Sequence, residues 1–316
     1  MNYVHLLDNY HVKNIIVTGG GGFIGSHTCL ALLEKGYNLF VIDSFENSSL
    51  KSIDRLLEIY KSKKYNPKIK LKLFEGSLCN KEFIKGVFES VKKENKEIDG
   101  VIHFAGLKAV AESILKPLLY WRTNLIGTIN LLEIMEEFDC YNLVFSSSAT
   151  VYQSKNNFLL KESSELGPIN PYGNTKYTIE VILKDLFKSS FTKWKFASLR
   201  YFNPIGAHES GLLGEDPKDI PNNIFPLIIN TALGLQKELK IYGNDWPTPD
   251  GTPIRDYIHV MDLAESHIKV LEFLINSKSI CIELNVGTGV GTSVLDLLKT
   301  FERVNNIKLP YSFDKR

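Results

Sequence analysis

The amino-acid sequence predicts an α/β protein: a doubly wound parallel sheet followed by a smaller mixed α/β lobe. Three observations predict it. Apolar runs of strand length recur, with amphipathic stretches of helical length between them. A glycine-rich turn follows the first run directly. Past Phe202, prolines and glycines break the chain into loops.

In chain order, the first run is Asn14-Ile15-Ile16-Val17, and a helical pattern over residues 26–35 comes after the glycine turn. The second, Leu39-Phe40-Val41-Ile42, ends in Asp43. Gly100-Val101-Ile102-His103-Phe104 and Leu143-Val144-Phe145 follow, with a helical pattern over 124–137 between them. Phe196-Ala197-Ser198-Leu199-Arg200-Tyr201 is the fifth. Such runs suit parallel strands buried on both faces. Strand and helix in alternation give a doubly wound sheet. Pro204, Gly206, Gly211, Gly214, Pro217, Pro221 and Pro226 then interrupt the chain, and a second cluster spans 243–253. The expected division is a sheet domain over 1–202 and a smaller lobe over 203–316, with a segment near 257–267 returning to the first. In open α/β sheets a ligand sits at the carboxyl ends of the strands, where such insertions gather.

Composition narrows the class. The formal net charge is +1, which removes the electrostatic case for a nucleic-acid partner. The densest basic stretch, residues 61–72 with six lysines, reads as a solvated surface. Cys29, Cys79, Cys140 and Cys281 lack metal-type spacing, and the seven histidines form no close cluster, so no metal is expected. Residues 1–14 lack the charged start and apolar core of a signal peptide. No apolar run approaches the roughly 20 residues that span a bilayer. The expectation is a cytoplasmic protein with no membrane contact.

Val17-Thr18-Gly19-Gly20-Gly21-Gly22-Phe23-Ile24-Gly25 closes the first strand and opens a helix. Glycines 19, 22 and 25 have the spacing G-x-x-G-x-x-G. The early ones permit a tight turn and close approach of backbone to a pyrophosphate; the last lets helix and strand pack closely. A plain tight turn explains the glycines equally well. Asp43, at the end of the second strand, decides between them. A carboxylate there grips ribose hydroxyls and repels a 2′-phosphate. The reading is a Rossmann-type domain for NAD rather than NADP.

Tyr172-Gly173-Asn174-Thr175-Lys176 follows Pro171 at a predicted helix start. A spacing of four puts both side chains on one face. A nearby ammonium favours phenolate, which makes Tyr172 a candidate general base. Such pairs also occur on ordinary helix surfaces. This one follows Phe145-Ser146-Ser147-Ser148, a serine run at the ligand-binding end of an apolar strand. Ser148 is the candidate partner for a reacting oxygen; Ser146 and Ser147 also fit turn residues.

The glycine spacing resembles the short-chain dehydrogenase/reductase superfamily, in its extended branch. Within that branch, four stretches resemble the UDP-galactose 4-epimerase family: Phe145-Ser146-Ser147-Ser148-Ala149-Thr150-Val151-Tyr152, His103-Phe104-Ala105-Gly106-Leu107-Lys108-Ala109-Val110, Arg200-Tyr201-Phe202-Asn203-Pro204 and Arg255-Asp256-Tyr257-Ile258-His259. The resemblance covers about residues 14–311. It implies reversible conversion of UDP-glucose and UDP-galactose at carbon 4, through a 4-keto sugar, with NAD retained. It makes Tyr172 the base, Lys176 its partner on the nicotinamide ribose, and Ser148 the third catalytic residue. On the cofactor it places Gly19, Gly22, Phe23, Ile24 and Gly25. Asp43, Ser44, Phe45 and Asn47 follow on the adenosine side, with Ser77 and Leu78. Phe104, Lys108, Asn124 and Tyr201 would line the rest of the cofactor. The sugar would meet Ser148, Ala149, Thr150 and Tyr172, with Tyr201, Phe202 and Asn203 beside it. Asn222, Asn223 and Ile224 would hold the sugar nucleotide, Lys240, Ile241 and Tyr242 would flank the uracil, and Arg255 would clamp the diphosphate. A planar guanidinium suits that task, although a structural ion pair to a neighbouring Asp is the plainer reading of Arg255. The family also implies a homodimer through a four-helix bundle, here helices near 124–137 and 176–188.

Two rivals share the branch. Nucleotide-sugar 4,6-dehydratases carry an Asp-Glu pair just after the residue matching Ser148; here Ala149 and Thr150 stand there, and neither transfers a proton usefully. Decarboxylases lack the matches at Leu107-Lys108-Ala109-Val110 and Pro221-Asn222-Asn223. A non-catalytic sensor of NAD or sugar nucleotide is the alternative outside catalysis, and Ser148, Tyr172 and Lys176 argue against it. Three departures from the family stand out. Ser77 replaces an Asp that contacts adenine, and Gln153 replaces a glycine. The family continues beyond Tyr311 into an Arg-Glu-Gly-Asp stretch that binds diphosphate and ribose, whereas this sequence stops at Arg316. The expectation is a lobe truncated at that end, binding UDP-sugars more weakly.

Overall fold

The computed structural model describes residues 12–63, 69–94, 97–153, 159–190, 193–218, 221 and 223–315. In chain order the elements are β1 (Asn14–Thr18), α1 (Phe23–Glu34), β2 (Asn38–Asp43), α2 (Leu50–Ser62), β3 (Leu71–Glu75), α3 (Lys81–Lys93), β4 (Gly100–His103), α4 (Val110–Leu115), α5 (Pro117–Tyr120), α6 (Gly127–Glu137), β5 (Asn142–Ser146) and α7 (Pro171–Ser189). Then come β6 (Lys195–Tyr201), β7 (Asn203–Ile205), α8 (Ile224–Ala232), β8 (Leu239–Tyr242), β9 (Ile254–His259), α9 (Val260–Asn276), β10 (Ile280–Val286), β11 (Gly291–Ser293), α10 (Val294–Asn305) and β12 (Tyr311–Asp314).

The main sheet runs β10-β6-β5-β4-β1-β2-β3 with every pairing parallel. The order reverses between β1 and β4, and that switch point opens a crevice at the carboxyl ends of the strands. All five apolar runs of the sequence are strands of this sheet. Their side chains divide between two cores. Ile15, Val17, Leu39 and Val41 face Leu30, Leu56 and Leu263 from α1, α2 and α9. Ile16, Phe40, Val101 and Phe145 face Phe88, Leu131 and Ile179 from α3, α6 and α7. Burial on both faces is why these strands show no alternation, and each fully buried aliphatic contributes about 1.5–3 kcal/mol.

The helical pattern at 124–137 is longer than its periodicity suggested. Pro117 starts α5, residues Trp121–Ile126 wind as a π-helical segment, and α6 continues from there. A π segment carries one extra residue per turn and breaks the 3.6 period, which hides the earlier turns from a periodicity reading.

After β6 the chain builds two smaller sheets, β11-β9-β7 and β12-β8. Ile228, Leu239, Ile241, Leu295 and Leu298 form a separate small core there. The chain then returns to the main sheet: α9 supplies Leu263, Ile268 and Leu271 to its first core, and β10 pairs along β6. Among the described residues no helix is long and apolar enough to cross a membrane.

Candidate active site

The crevice begins at the glycine turn. Gly19 has φ +71°, and a Cβ there would stand 2.6 Å from the Ala105 nitrogen. At Gly25 a Cβ would come within 2.2 Å of the Gly19 carbonyl oxygen. Turn, helix and the loop after β4 therefore approach as closely as backbone allows. Gly22 caps α1 without a side chain, and no acidic residue occupies the first turn. By contrast Ser49, Asn80, Asn170, His259 and Ser293 cap α2, α3, α7, α9 and α10. The first N–H groups of α1, on Phe23, Ile24 and Gly25, thus stand at the positive end of a helix dipole with no side chain in front of them.

Asp43 is buried at the end of β2. Its Oδ2 accepts from Gly21 N at 2.7 Å, and its Oδ1 accepts from Phe45 N and Ser48 Oγ, both at 2.8 Å. Phe45 is held at φ +51°, while Ser44 and Asn47 are exposed on the same rim. At the end of β3, the Ser77 hydroxyl accepts from Cys79 N at 3.2 Å, a local turn. Leu78 is buried, and its carbonyl accepts from Asn130 Nδ2.

Beyond β4, Phe104 packs against His267, ring centroids 4.7 Å apart. Asn124 lies in the π segment. Its Oδ1 accepts from Leu107 N at 2.8 Å; its Nδ2 donates to Leu107 O and to Thr175 Oγ1, both at 3.1 Å. Both amide hydrogens are engaged within the protein, tying the loop after β4 to α7. Lys108 is exposed and pairs at 3.4 Å with Glu215, whose Oε1 also accepts from Asn223 Nδ2 at 2.6 Å.

Helix α7 starts where it does because Asn170 Oδ1 accepts from Gly173 N at 2.8 Å and Pro171 occupies its first position. Tyr172 and Lys176 then fall one turn apart on the buried face. Lys176 Nζ donates to Ser146 O at 2.8 Å and lies 5.9 Å from the Tyr172 ring centroid. Burial pushes Lys176 down to about 8. Burial pushes the Tyr172 phenol up, and the neighbouring Ser148 hydroxyl offsets this only in part. The sequence reading has the lysine ammonium favour phenolate, with an oxidised nicotinamide adding to the effect; in the protein by itself desolvation dominates. Ser148 also caps the short turn Ala149–Val151, accepting from Thr150 N at 3.2 Å and Thr150 Oγ1 at 3.0 Å. Tyr201, at the end of β6, shares a short hydrogen bond with Ser146 Oγ. The structure therefore gathers Ser148, Thr150, Tyr172, Lys176 and Tyr201 at one end of β5 and β6, with Ala149 beside them.

His103 escaped the sequence reading. Thr128 Oγ1 donates to Asn124 O at 2.6 Å, so it accepts from His103 Nε2 at 2.9 Å. The other nitrogen, Nδ1, then accepts from Thr18 Oγ1 at 2.7 Å. Burial and the Lys176 charge push His103 down to about 3, so it is a neutral strut between β1, β4 and α6. Glu180 and Arg200, a wholly buried pair, were also missed; an isolated Glu on a helix and an Arg in a strand give no local signal.

The smaller lobe contributes more loosely. Phe202 and Asn203 are half-buried beside Tyr201. Asn223 and Ile224 open α8, and Asn222 lies outside the described residues. In β8, Ile241 is buried in the small core, whereas Lys240 pairs with Glu238 at 2.7 Å and Tyr242 is exposed. Arg255 is exposed in β9. Its guanidinium donates to Ile254 O at 2.8 Å and has no ion-pair partner among the described residues. The neighbouring Asp256 bonds Thr288 and Gly289 instead. Among the described residues no cluster of His, Cys, Asp and Glu is placed to hold a metal.

Comparison with known proteins agrees with this arrangement. The family model described as GDP-mannose 4,6 dehydratase matches residues 16–308. A UDP-glucose 4-epimerase of Bacillus subtilis is 48% identical over 302 residues, 96% of this chain and 85% of that protein. UDP-glucose 4-epimerase 2 of Arabidopsis thaliana is 46% identical, over 94% of this chain and 82% of its own length. A crystal structure of UDP-glucose 4-epimerase from Bifidobacterium longum in complex with NAD+ and UDP superposes with a TM-score of 0.87 at 41% identity, covering 96% of this chain and 87% of that one. The enzyme from Stenotrophomonas maltophila, with NAD and formylated UDP-arabinopyranose bound, gives 0.89 at 38% identity over 96% and 86%.

Proposed function

This chain belongs to the UDP-glucose 4-epimerase family, and on that premise we propose that it interconverts UDP-glucose and UDP-galactose with NAD held in the crevice of the main sheet. One observation carries the reading. Tyr172, Lys176 and Ser148 converge at the carboxyl ends of the strands, and the next two positions, Ala149 and Thr150, offer no acid or base. A 4,6-dehydratase needs both to remove water from carbons 5 and 6. The broad family model is therefore met by a chain equipped for epimerisation.

The residues present fit a dinucleotide. The uncapped N-terminus of α1 suits a pyrophosphate, with Gly19 and Gly25 leaving no room for side chains in the turn. Asp43 stands where ribose hydroxyls would be bound, with Ser44, Phe45 and Asn47 at the rim and Ser77 and Leu78 beyond. Phe104, Lys108, Asn124 and Tyr201 border the opposite half. Bound NAD would supply a reversible two-electron acceptor for carbon 4 and a positive charge beside Tyr172.

Within that setting the protein's own groups handle one proton. Tyr172 takes it from the sugar's 4-hydroxyl, and the Ser148 hydroxyl holds the same oxygen. Lys176, anchored on Ser146 O, keeps its ammonium near the phenol and offsets the cost of a buried phenolate. Once carbon 4 is a ketone, the sugar turns in the pocket, and Tyr172 returns the proton after the other face has been reduced. Asn203, Asn222, Asn223 and Ile224 hold the sugar nucleotide. Lys240, the backbone of Ile241 and Tyr242 flank the uracil. Arg255, with no internal ion-pair partner among the described residues, faces the diphosphate. The division that supports this is a cofactor domain over 1–202, rejoined by α9 and β10, and a UDP-sugar lobe over the remainder of 203–316.

We further infer a homodimer through α5, α6 and α7. Leu118 on α5 is 81% exposed, and Ile126 in the π-helical segment, Ile129 on α6 and Val181 on α7 are exposed as well. A cytoplasmic location fits the four free cysteines. The test of the function is conversion of UDP-galactose to UDP-glucose by the purified chain, read by nuclear magnetic resonance. Absence of UDP-glucose, or a 6-deoxy-4-keto product, would overturn it.

A further inference from the structure

A buried polar assembly lies behind the catalytic residues. Glu180 on α7 and Arg200 on β6 are each about 1% exposed. Glu180 Oε2 accepts from Arg200 Nη2 at 2.6 Å, and Glu180 Oε1 accepts from Arg200 Nε at 2.9 Å, a bidentate pairing. Ser147 Oγ donates to the same Oε1 at 2.6 Å. The remaining Arg200 nitrogen, Nη1, donates to Tyr152 Oη at 3.1 Å and Glu162 O at 3.3 Å. Tyr152 Oη donates in turn to Asn285 Oδ1 at 2.6 Å.

A buried ion pair is weak evidence for stability, because desolvation offsets much of the attraction. Its geometric content is greater. Tyr172, Lys176 and Glu180 are spaced by four along α7, so they form one stripe on one helix face. Ser147 is the immediate neighbour of Ser148, and Arg200 is the immediate neighbour of Tyr201. A single carboxylate thus joins the helix that carries the phenol to the two strand ends that carry its partners. A bidentate guanidinium contact fixes both distance and angle, which a single hydrogen bond or an apolar contact would not.

We propose that Glu180 and Arg200 are positioning residues: their pairing sets the register of α7 against β5 and β6, and so places the Tyr172 hydroxyl against Ser148 and the reacting carbon. They touch neither sugar nor cofactor and act through Tyr172. This rests on the epimerase reading above, so wild-type turnover of UDP-galactose is measured first. An inactive wild type would count against that reading and not against this one.

The experiment is a double-mutant cycle with Glu180→Gln and Tyr172→Phe, in protein saturated with NAD. Glu180→Gln alone should lower kcat by tenfold or more with KM for UDP-galactose within twofold, since the pocket for the nucleotide is untouched. In the Tyr172→Phe background the same change should cost less than twofold, because the group being positioned is gone. A purely structural role predicts the same fold-loss in both backgrounds, and that result overturns the proposal; so does an unchanged kcat in the single variant. If Glu180→Gln does not fold, Ser147→Ala takes its place in the cycle. It removes one of the three hydrogen bonds to Glu180 and leaves the ion pair whole. A loss of threefold or more that vanishes in the Tyr172→Phe background supports the proposal, and a loss that persists there refutes it.

Discussion

Asp43→Asn tests the cofactor half. The carboxylate accepts three hydrogen bonds, from Gly21 N at 2.7 Å, Phe45 N at 2.8 Å and Ser48 Oγ at 2.8 Å. An amide oxygen can keep the pair from Phe45 and Ser48. Its Nδ2 then confronts the Gly21 N–H, donor against donor. One charge-assisted bond inside the glycine turn is lost, together with the negative charge that a ribose would meet. A charge-assisted bond from a ribose hydroxyl to the carboxylate is worth about 1.5–3 kcal/mol, which is roughly 10- to 100-fold in affinity. Calorimetric titration should show NAD binding weakened by that factor. The wild type should prefer NAD over NADP by at least about tenfold, and the variant should approach parity as repulsion of the 2′-phosphate disappears. A variant that binds NAD within threefold of wild type, with its preference intact, would refute the placement of Asp43.

Two other outcomes can be measured directly. His267 is buried and held down to about 4. The unfolded chain therefore binds a proton between about pH 6.5 and 4 that the folded chain does not, so this group withdraws stability as pH falls through that window. His267→Phe, which keeps packing on Phe104 and Tyr201, should narrow the difference in unfolding free energy between pH 7.5 and pH 5 by up to about 2 kcal/mol; urea unfolding at the two pH values is the check, and an unchanged difference would refute it. For the proposed assembly, the wild type should sediment as a dimer and Leu118→Asp with Ile126→Asp as a monomer; a monomeric wild type would refute it.

The parts legible in the sequence were those encoded by local spacing. The glycine turn, Asp43 and the stripe of Tyr172 and Lys176 each lie within a few residues, and the apolar strands declare themselves because both faces are buried. What needed the fold was pairing between distant segments. Glu180 meets Arg200 across a helix-to-strand contact. His103 takes its neutral tautomer from Thr18 and Thr128 on two other elements. The direction of the Tyr172 pKa was also hidden, because desolvation depends on what surrounds the helix and not on the Tyr-x-x-x-Lys spacing. Ile241 shows the same limit: the resemblance implied a place beside the uracil, but the turn of its side chain into the small core was not readable.

The central claim is that Tyr172 is the base of an epimerase. The most direct measurement is the rate at which purified wild type and Tyr172→Phe, both loaded with NAD, convert UDP-galactose to UDP-glucose. Removing a general base costs roughly 100-fold or more, so the wild type should reach the same product ratio from either sugar while the variant binds NAD normally and turns over at least about 100-fold more slowly. Near-wild-type turnover in Tyr172→Phe would contradict the account.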